Sequence, residues 1–230
     1  MPLTRTEFAT PSGRARAWRE LLWADHGVLR LVYRNTHAVA PGRMFRSVQP
    51  APADIARFAR QGVRTIVNLR GDAPSGFFYL EEEACRRHGV ALENFRVYSR
   101  EAPTLEILNG ARALFRRIEY PAVMHCKSGA DRVGLMSALY LFFEAGVPFD
   151  AALGQLSLRY GHFRQGKTGV IDYALERYLD FARSTGVDLS SVDAFFAWAE
   201  SPLYDPAKIK AEFLGSWWGN LLTERILRRE

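Results

Sequence analysis

Apolar and polar positions along this chain fall into two alternating patterns. Short apolar runs bounded by Gly or Pro read as buried strands, and longer stretches with a 3.6-residue apolar period read as helices. The first helical pattern spans residues 15 to about 35 and includes "RAWRELLWADHGVLRLVYRN", with Gly27 as its break. "GRMFRSVQPAP" predicts a short strand, after which Pro50 and Pro52 open the helix "ADIARFARQG". "VRTIVNLRGD" is a β-branched apolar run ended by Gly71 and predicts a buried strand. The helix "FFYLEEEACRRHG" follows, closed by Gly89, and then the strand "ALENFRVYS". A Pro-Thr start leads into "LEILNGARALFRRIEY", the apolar strand "PAVMH" comes next, and a nearly all-apolar helix begins at Arg132. Beyond Gly146 the pattern is helical apart from the polar loop "HFRQGKTG".

Strands alternating with helices predict an α/β fold, with a mostly parallel central sheet flanked by helices and with N- and C-terminal helical extensions. A chain of 230 residues that is 48% hydrophobic can bury one substantial core. The expected organisation is an N-terminal helical extension over 1–40, a catalytic domain over 41–185 and a C-terminal helical appendage packed on the core over 186–230. No internal repeat or low-complexity tract is visible. The formal charge of +6 favours an anionic partner without naming it. The basic residues are scattered, so no nucleic-acid stripe is expected. Two cysteines, Cys85 and Cys126, exclude a disulfide scaffold and suggest a reducing compartment. Five scattered histidines give no zinc-ligand spacing, and no cofactor is expected. The N-terminus lacks the apolar core of a signal peptide and no run is long enough to span a bilayer, so a cytoplasmic location is the expectation.

The chemistry concentrates in "AVMHCKSGADRVGLMSALYLFF", residues 122–143, where His, Cys, Lys, Asp and Arg sit between two apolar segments. A strand ends at His125, and a tight loop with Gly129 leads into a helix. The N–H groups of such a loop, with the positive end of the helix behind them, form an anion site. Gly129 lets the loop curl and the backbone approach a ligand. The same field favours the thiolate of Cys126. Arg132, six positions later, is placed to offer its planar fork to the same anion. A thiolate, an amide cradle and a guanidinium around one tetrahedral anion make a site for phosphoryl transfer through a covalent cysteine.

His125, Cys126, Gly129 and Arg132 in this strand-loop-helix context resemble the signature of the cysteine-dependent protein tyrosine and dual-specificity phosphatases. "RMFRSVQPAP" and "TIVNLRG" resemble their compact bacterial dual-specificity-like group, which includes inositol-phosphate phosphatases. The resemblance implies that Cys126 attacks phosphorus and carries a phosphocysteine. It implies that Arg132 and the loop from Lys127 through Ser128, Gly129 and Ala130 hold the phosphate oxygens, and that His125 hydrogen-bonds within the loop. The proton for the leaving group comes from Asp131, Glu101 or Asp72, in that order. Asp131 precedes the signature Arg as in the myotubularin-type lipid phosphatases, but an Asp there also suits a helix cap. Glu101 stands at the family's acid-loop distance, without its Trp-Pro-Asp.

Two features depart from the family or refine it. Val133 replaces the Ser or Thr that usually follows the Arg, which predicts slow breakdown of the phosphocysteine. Lys127 resembles the phosphoinositide-directed relatives whose loops begin His-Cys-Lys, and Arg46, Arg70, Arg100 and Lys167 extend the expected cationic field. The expected substrate is therefore a phosphorylated protein or an inositol phosphate or phosphoinositide. A catalytically weak phosphate-binding adaptor, or a rhodanese-like sulfurtransferase, is the alternative. Some relatives protect the nucleophile with a second cysteine, a role open to Cys85. The C-terminal face Leu214, Trp217, Trp218, Leu221 and Leu222, followed by Arg225, Arg228 and Arg229, suits either packing on the core or weak contact with an anionic membrane surface.

Overall fold

A computed structural model describes residues 2–28 and 33–227, the side chains of 217–227 excepted. Thr10 caps the first long helix by accepting from the N–H of Gly13 at 3.0 Å, and Pro11 occupies its first position, where a missing N–H costs nothing. The opening elements are thus α1 (Arg5–Phe8) and α2 (Pro11–Arg19), the latter running on as a wider turn over Glu20–Ala24. The chain then enters the sheet earlier than the sequence pattern predicts. His37–Ala40 forms β1, an edge strand of four residues, too short to show an alternation of its own.

β1 pairs antiparallel with β2 (Met44–Ser47). The other strands run parallel, in the order β1-β2-β5-β3-β4, with β3 at Thr65–Asn68, β4 at Ala91–Asn94 and β5 at Ala122–His125. β3 and β5 are buried at every residue, as continuous apolar runs inside a parallel sheet should be. The helices that connect the strands are α3 (Pro52–Arg60), α4 (Gly76–His88), α5 (Leu105–Arg117) and α6 (Asp131–Glu144). Their boundaries have local causes. Pro52 sits at the first position of α3, while the N–H of Ala51 donates to Asp54 at 3.1 Å. Gly89 ends α4 in the left-handed conformation, φ 64°. The fold therefore has the mixed α/β architecture expected from the sequence, with four strand ends, β2 to β5, at one edge where α/β proteins bind ligands.

The two faces of the sheet bury different sets of residues. Met44, Val67, Leu69, Ala122 and Met124 join the larger core with α5, α6, α7 (Phe149–Ala152), α8 (Val170–Thr185) and α9 (Val192–Ala199). Ile66 and Val123 pack on the other face against α3 and α4, together with Cys85. α2 lies on the outer side of α4 through Ala17, Leu21, Phe78 and Tyr79. The last element, α10 (Pro206–Leu227), brings Ile209 and Phe213 to the larger core, with Leu214 packed against it. The rest of the face expected at Trp217, Trp218, Leu221 and Leu222, with its arginines, falls outside the described side chains. Among the described residues no helix is long and apolar enough to cross a membrane.

Candidate active site

The loop from Cys126 to Ala130 leaves the end of β5 and closes on α6, and its carbonyls explain its shape. The N–H of Gln49 donates to the Lys127 carbonyl at 3.4 Å. Asn35 Nδ2 donates to the carbonyls of Ser128 at 3.1 Å and Gly129 at 3.0 Å. Arg46 Nη2 donates to Gly129 at 2.8 Å and Ala130 at 3.2 Å, and the Ala130 carbonyl also takes the first helical bond of α6, from Gly134 N–H at 2.8 Å. Four successive carbonyls are thus committed to partners. A trans peptide sets its N–H opposite its C=O, so the N–H groups of Ser128, Gly129, Ala130 and Asp131 are turned away from those donors. The result is the nest of amides that an anion requires.

Gly129 is needed twice over. Its φ is +68°, and a Cβ there would meet the backbone of Ser47 and Val48 at 2.9–3.0 Å. The loop can press against the end of β2 only because that side chain is absent.

Arg46 is fully buried, its guanidinium 3.9 Å from the centre of the Tyr160 ring, and Nη1 donates to both the backbone and side-chain oxygens of Gln155. Burial lowers its pKa to about 10, with Tyr160 and the Cys126 thiol as opposing influences, so it remains a cation at neutral pH. This corrects the expectation that Arg46 extends a field toward substrate: its fork is spent on the loop. Asn35 adds a third bond, to the Tyr160 carbonyl at 2.9 Å, which joins the cysteine loop to the turn after Ser157.

His125 is fully buried, and its ring reaches α4 instead of bonding within the loop. Its Nε2 lies 2.5 Å from Glu81 Oε1, while Glu81 Oε2 accepts from Gln49 Nε2 at 2.8 Å. Gln49 Oε1 in turn accepts from Arg70 Nη1 at 2.8 Å, and Arg70 grips Asp25 with both nitrogens at 2.8 Å. Arg70 is aimed by the turn after β3, where Asn68 accepts from the Arg70 N–H and donates to the Gly71 carbonyl. Lys127 Nζ lies 3.8 Å from the same Asp25.

Cys126 is buried at the base of the loop, 2% exposed. Arg132, second residue of α6, makes no side-chain hydrogen bond or ion pair among the described residues. Asp131, the first residue of α6, forms no cap there; its Oδ1 is 2.7 Å from His162 Nδ1, and His162 Nε2 is 2.6 Å from Asp172 Oδ2. Glu101 pairs with Lys210 of α10 at 2.6 Å, both part-exposed. Asp72 is exposed. Lys167 is exposed on the single turn Lys167–Gly169 before α8. Val133 is fully buried in the larger core and supplies no hydroxyl to the loop. Cys85 lies across the sheet from Cys126, in the other core, and both thiols are free. No disulfide joins them in this structure.

Sequence reasoning missed Asp25, Asn35, Gln49, Glu81, His162 and Asp172. The "HFRQGKTG" loop draws attention in sequence through Lys167, but the buried side chain in it is that of His162, 2% exposed. Its placement after a turn glycine was the available signal.

Residues 33–157, more than half of the chain, match the family model described as PTP-SAK: Swiss Army Knife protein, DSP-PTPase phosphatase domain. Over 155 residues the chain is 29% identical to the dual specificity protein phosphatase TpbA of Pseudomonas aeruginosa (strain UCBPP-PA14), a match covering 67% of this chain and 63% of that protein. It thus spans somewhat less than two thirds of this curated relative. Among solved structures, that of P. aeruginosa TpbA aligns with a TM-score of 0.49 at 21% identity, over 68% of this chain and 90% of that one. Human DUSP28 aligns with a TM-score of 0.46 at 20% identity, over 65% and 95%. The family match spans the buried strands, the cysteine loop and Arg132, and by it the chain belongs to the PTP-SAK family of DSP-PTPase phosphatase domains.

Proposed function

We propose that the protein is a cysteine-dependent phosphatase that hydrolyses phosphomonoesters through a phosphocysteine on Cys126. The observation that carries this reading is the commitment of the carbonyls of Lys127, Ser128, Gly129 and Ala130 to Gln49, Asn35 and Arg46, with the opposing amides left to an anion. Cys126 sulfur forms a bond to phosphorus as the ester oxygen leaves; water then attacks phosphorus and the sulfur departs as thiolate. The amides of Ser128 to Asp131 and the Arg132 fork hold the three equatorial oxygens, where charge is greatest. Asp131, adjacent to Arg132, passes a proton to the leaving oxygen and recovers it from the His162 imidazolium at 2.7 Å, and the pair takes back the proton of the attacking water in the second step. Glu101, tied to Lys210 at the surface, is the second candidate.

The substrate class is a phosphorylated protein, which accords with the dual specificity protein phosphatase relative. Inositol phosphates are the second class. Their cationic field is reduced in this fold, since Arg46 and Arg70 are engaged by protein groups.

The test is phosphate release from p-nitrophenyl phosphate by the wild type and by Cys126→Ser. Loss of release in the variant, with vanadate binding lost as well, supports the reading. A wild type that binds phosphorylated ligands but releases no phosphate would make it an adaptor, and persulfide formation from thiosulfate a sulfurtransferase.

A further inference from the structure

The segment before the sheet delivers one carboxylate to the flank of the cysteine loop. Asp25 follows the wide turn Glu20–Ala24, which is held against α4 by Leu21, and its N–H donates to the Glu20 carbonyl at 2.8 Å. The Asp25 side chain is 5% exposed, beside an Arg70 side chain at 13% and a Lys127 side chain at 42%. Arg70 is engaged by protein groups: both terminal nitrogens go to Asp25, one of them also goes to Gln49, and its face covers the Phe77 ring at 3.8 Å. Lys127, next to the nucleophile in sequence, has its ammonium 3.8 Å from the same carboxylate.

We infer that Asp25 is a specificity-determining residue: by pairing with Arg70 and offsetting part of the Lys127 charge it favours ligands with a single phosphate and disfavours those that carry several. This rests on the phosphate-site reading of the Cys126 loop. The physical reason is simple. The first phosphate is held by the amide nest and Arg132, which Asp25 does not touch. A second phosphate on the same ligand would need the flanking cations and would meet a carboxylate between them. At separations of several ångströms near a protein surface, one such charge changes affinity by roughly tenfold. A side chain from outside the strands thus sets which esters the loop accepts.

The experiment uses the full chain as Cys126→Ser, so that no turnover occurs, with and without Asp25→Asn. Binding of inorganic phosphate and of inositol hexakisphosphate is measured by calorimetry at low and moderate salt. The expected result is phosphate affinity unchanged within about threefold and hexakisphosphate affinity raised roughly tenfold, a gain that falls with salt and disappears when Lys127→Ala is added. Equal hexakisphosphate affinity in both proteins overturns the inference while leaving the phosphate site intact. Failure of phosphate to bind either protein, with a wild type inert towards p-nitrophenyl phosphate, overturns both. Lys127→Ala in the presence of native Asp25 provides a measurement that does not depend on the stability of Asp25→Asn. A masked lysine predicts less than twofold loss of hexakisphosphate affinity, and a tenfold loss would show that Lys127 is already engaged, against the inference.

Discussion

His162 Nδ1 lies 2.7 Å from Asp131 Oδ1, so a residue 31 positions downstream holds the first side chain of the helix behind the cysteine loop. Its other nitrogen is 2.6 Å from Asp172 of α8, which places one buried ring between two carboxylates. Burial alone would disfavour charge on this ring. The hydrogen bonds to Asp131 and then Asp172 outweigh it and raise the pKa to about 9 from the ordinary 6.5. A base with a raised folded-state value stabilises the fold fully below pH 6.5 and loses that contribution as pH rises through about 9. His162→Ala should therefore cost about 3 kcal/mol at pH 6 and much less at pH 10. Thermal unfolding at the two pH values checks this, and an equal deficit at both would contradict it.

Asp131 and Glu101 differ in where their partners hold them. Asp131 is adjacent to Arg132 and anchored by the buried His162, while Glu101 is paired with Lys210 at the surface. Asp131→Asn should lower kcat on a phosphotyrosine peptide by roughly a hundredfold, the scale of general-acid catalysis. The loss should be smaller with p-nitrophenyl phosphate, whose leaving group needs less protonation. Glu101→Gln should stay within about threefold on both substrates. Steady-state rates on the two esters distinguish the outcomes, and a larger loss in Glu101→Gln would reverse the assignment.

Val133 is fully buried beside the loop, so no hydroxyl at that position eases departure of the thiolate. Rapid-quench kinetics should show a burst of leaving group followed by slow turnover. Val133→Thr should shrink the burst and speed the second phase several-fold. It should also lower stability by about 1–2 kcal/mol, because the hydroxyl enters an apolar core. A wild type with no burst and fast turnover would contradict the argument.

Asn35 holds the carbonyls of Ser128, Gly129 and Tyr160 with one amide nitrogen. Asn35→Ala leaves these acceptors without that donor and frees the peptide planes to rotate. Stability should fall by about 1–3 kcal/mol. Vanadate affinity should fall roughly tenfold while the rate of Cys126 alkylation at saturating reagent changes little. Competition binding tests this, and unchanged vanadate affinity would mean that Arg46 and the Gln49 N–H suffice to set the loop.

The sheet and the reactive loop were legible because they depend on local signals. Residues 65–68 form an uninterrupted buried run, Pro52 opens a helix at its first position, and Gly129 has the positive φ that a curled loop demands. The scaffold around the loop was not legible in the same way. Arg46, Asn35, Glu81 and His162 look like ordinary polar residues in sequence, and each acquires its role only from a partner brought near by folding. Even the cationic field inferred from Arg46 and Arg70 reversed its meaning once their partners were known. A charge can be read from sequence, but its neutralisation cannot.

The separation of Cys85 and Cys126 on opposite faces of the sheet has a consequence under oxidative stress. With only two thiols in the chain, a sulfenic acid formed on Cys126 would have no second thiol in its own core cluster to condense with. The sulfenic acid can then be capped by a backbone nitrogen as a sulfenamide or by a thiol entering from solvent, and where neither intervenes further peroxide carries the sulfur to sulfinic and sulfonic acids.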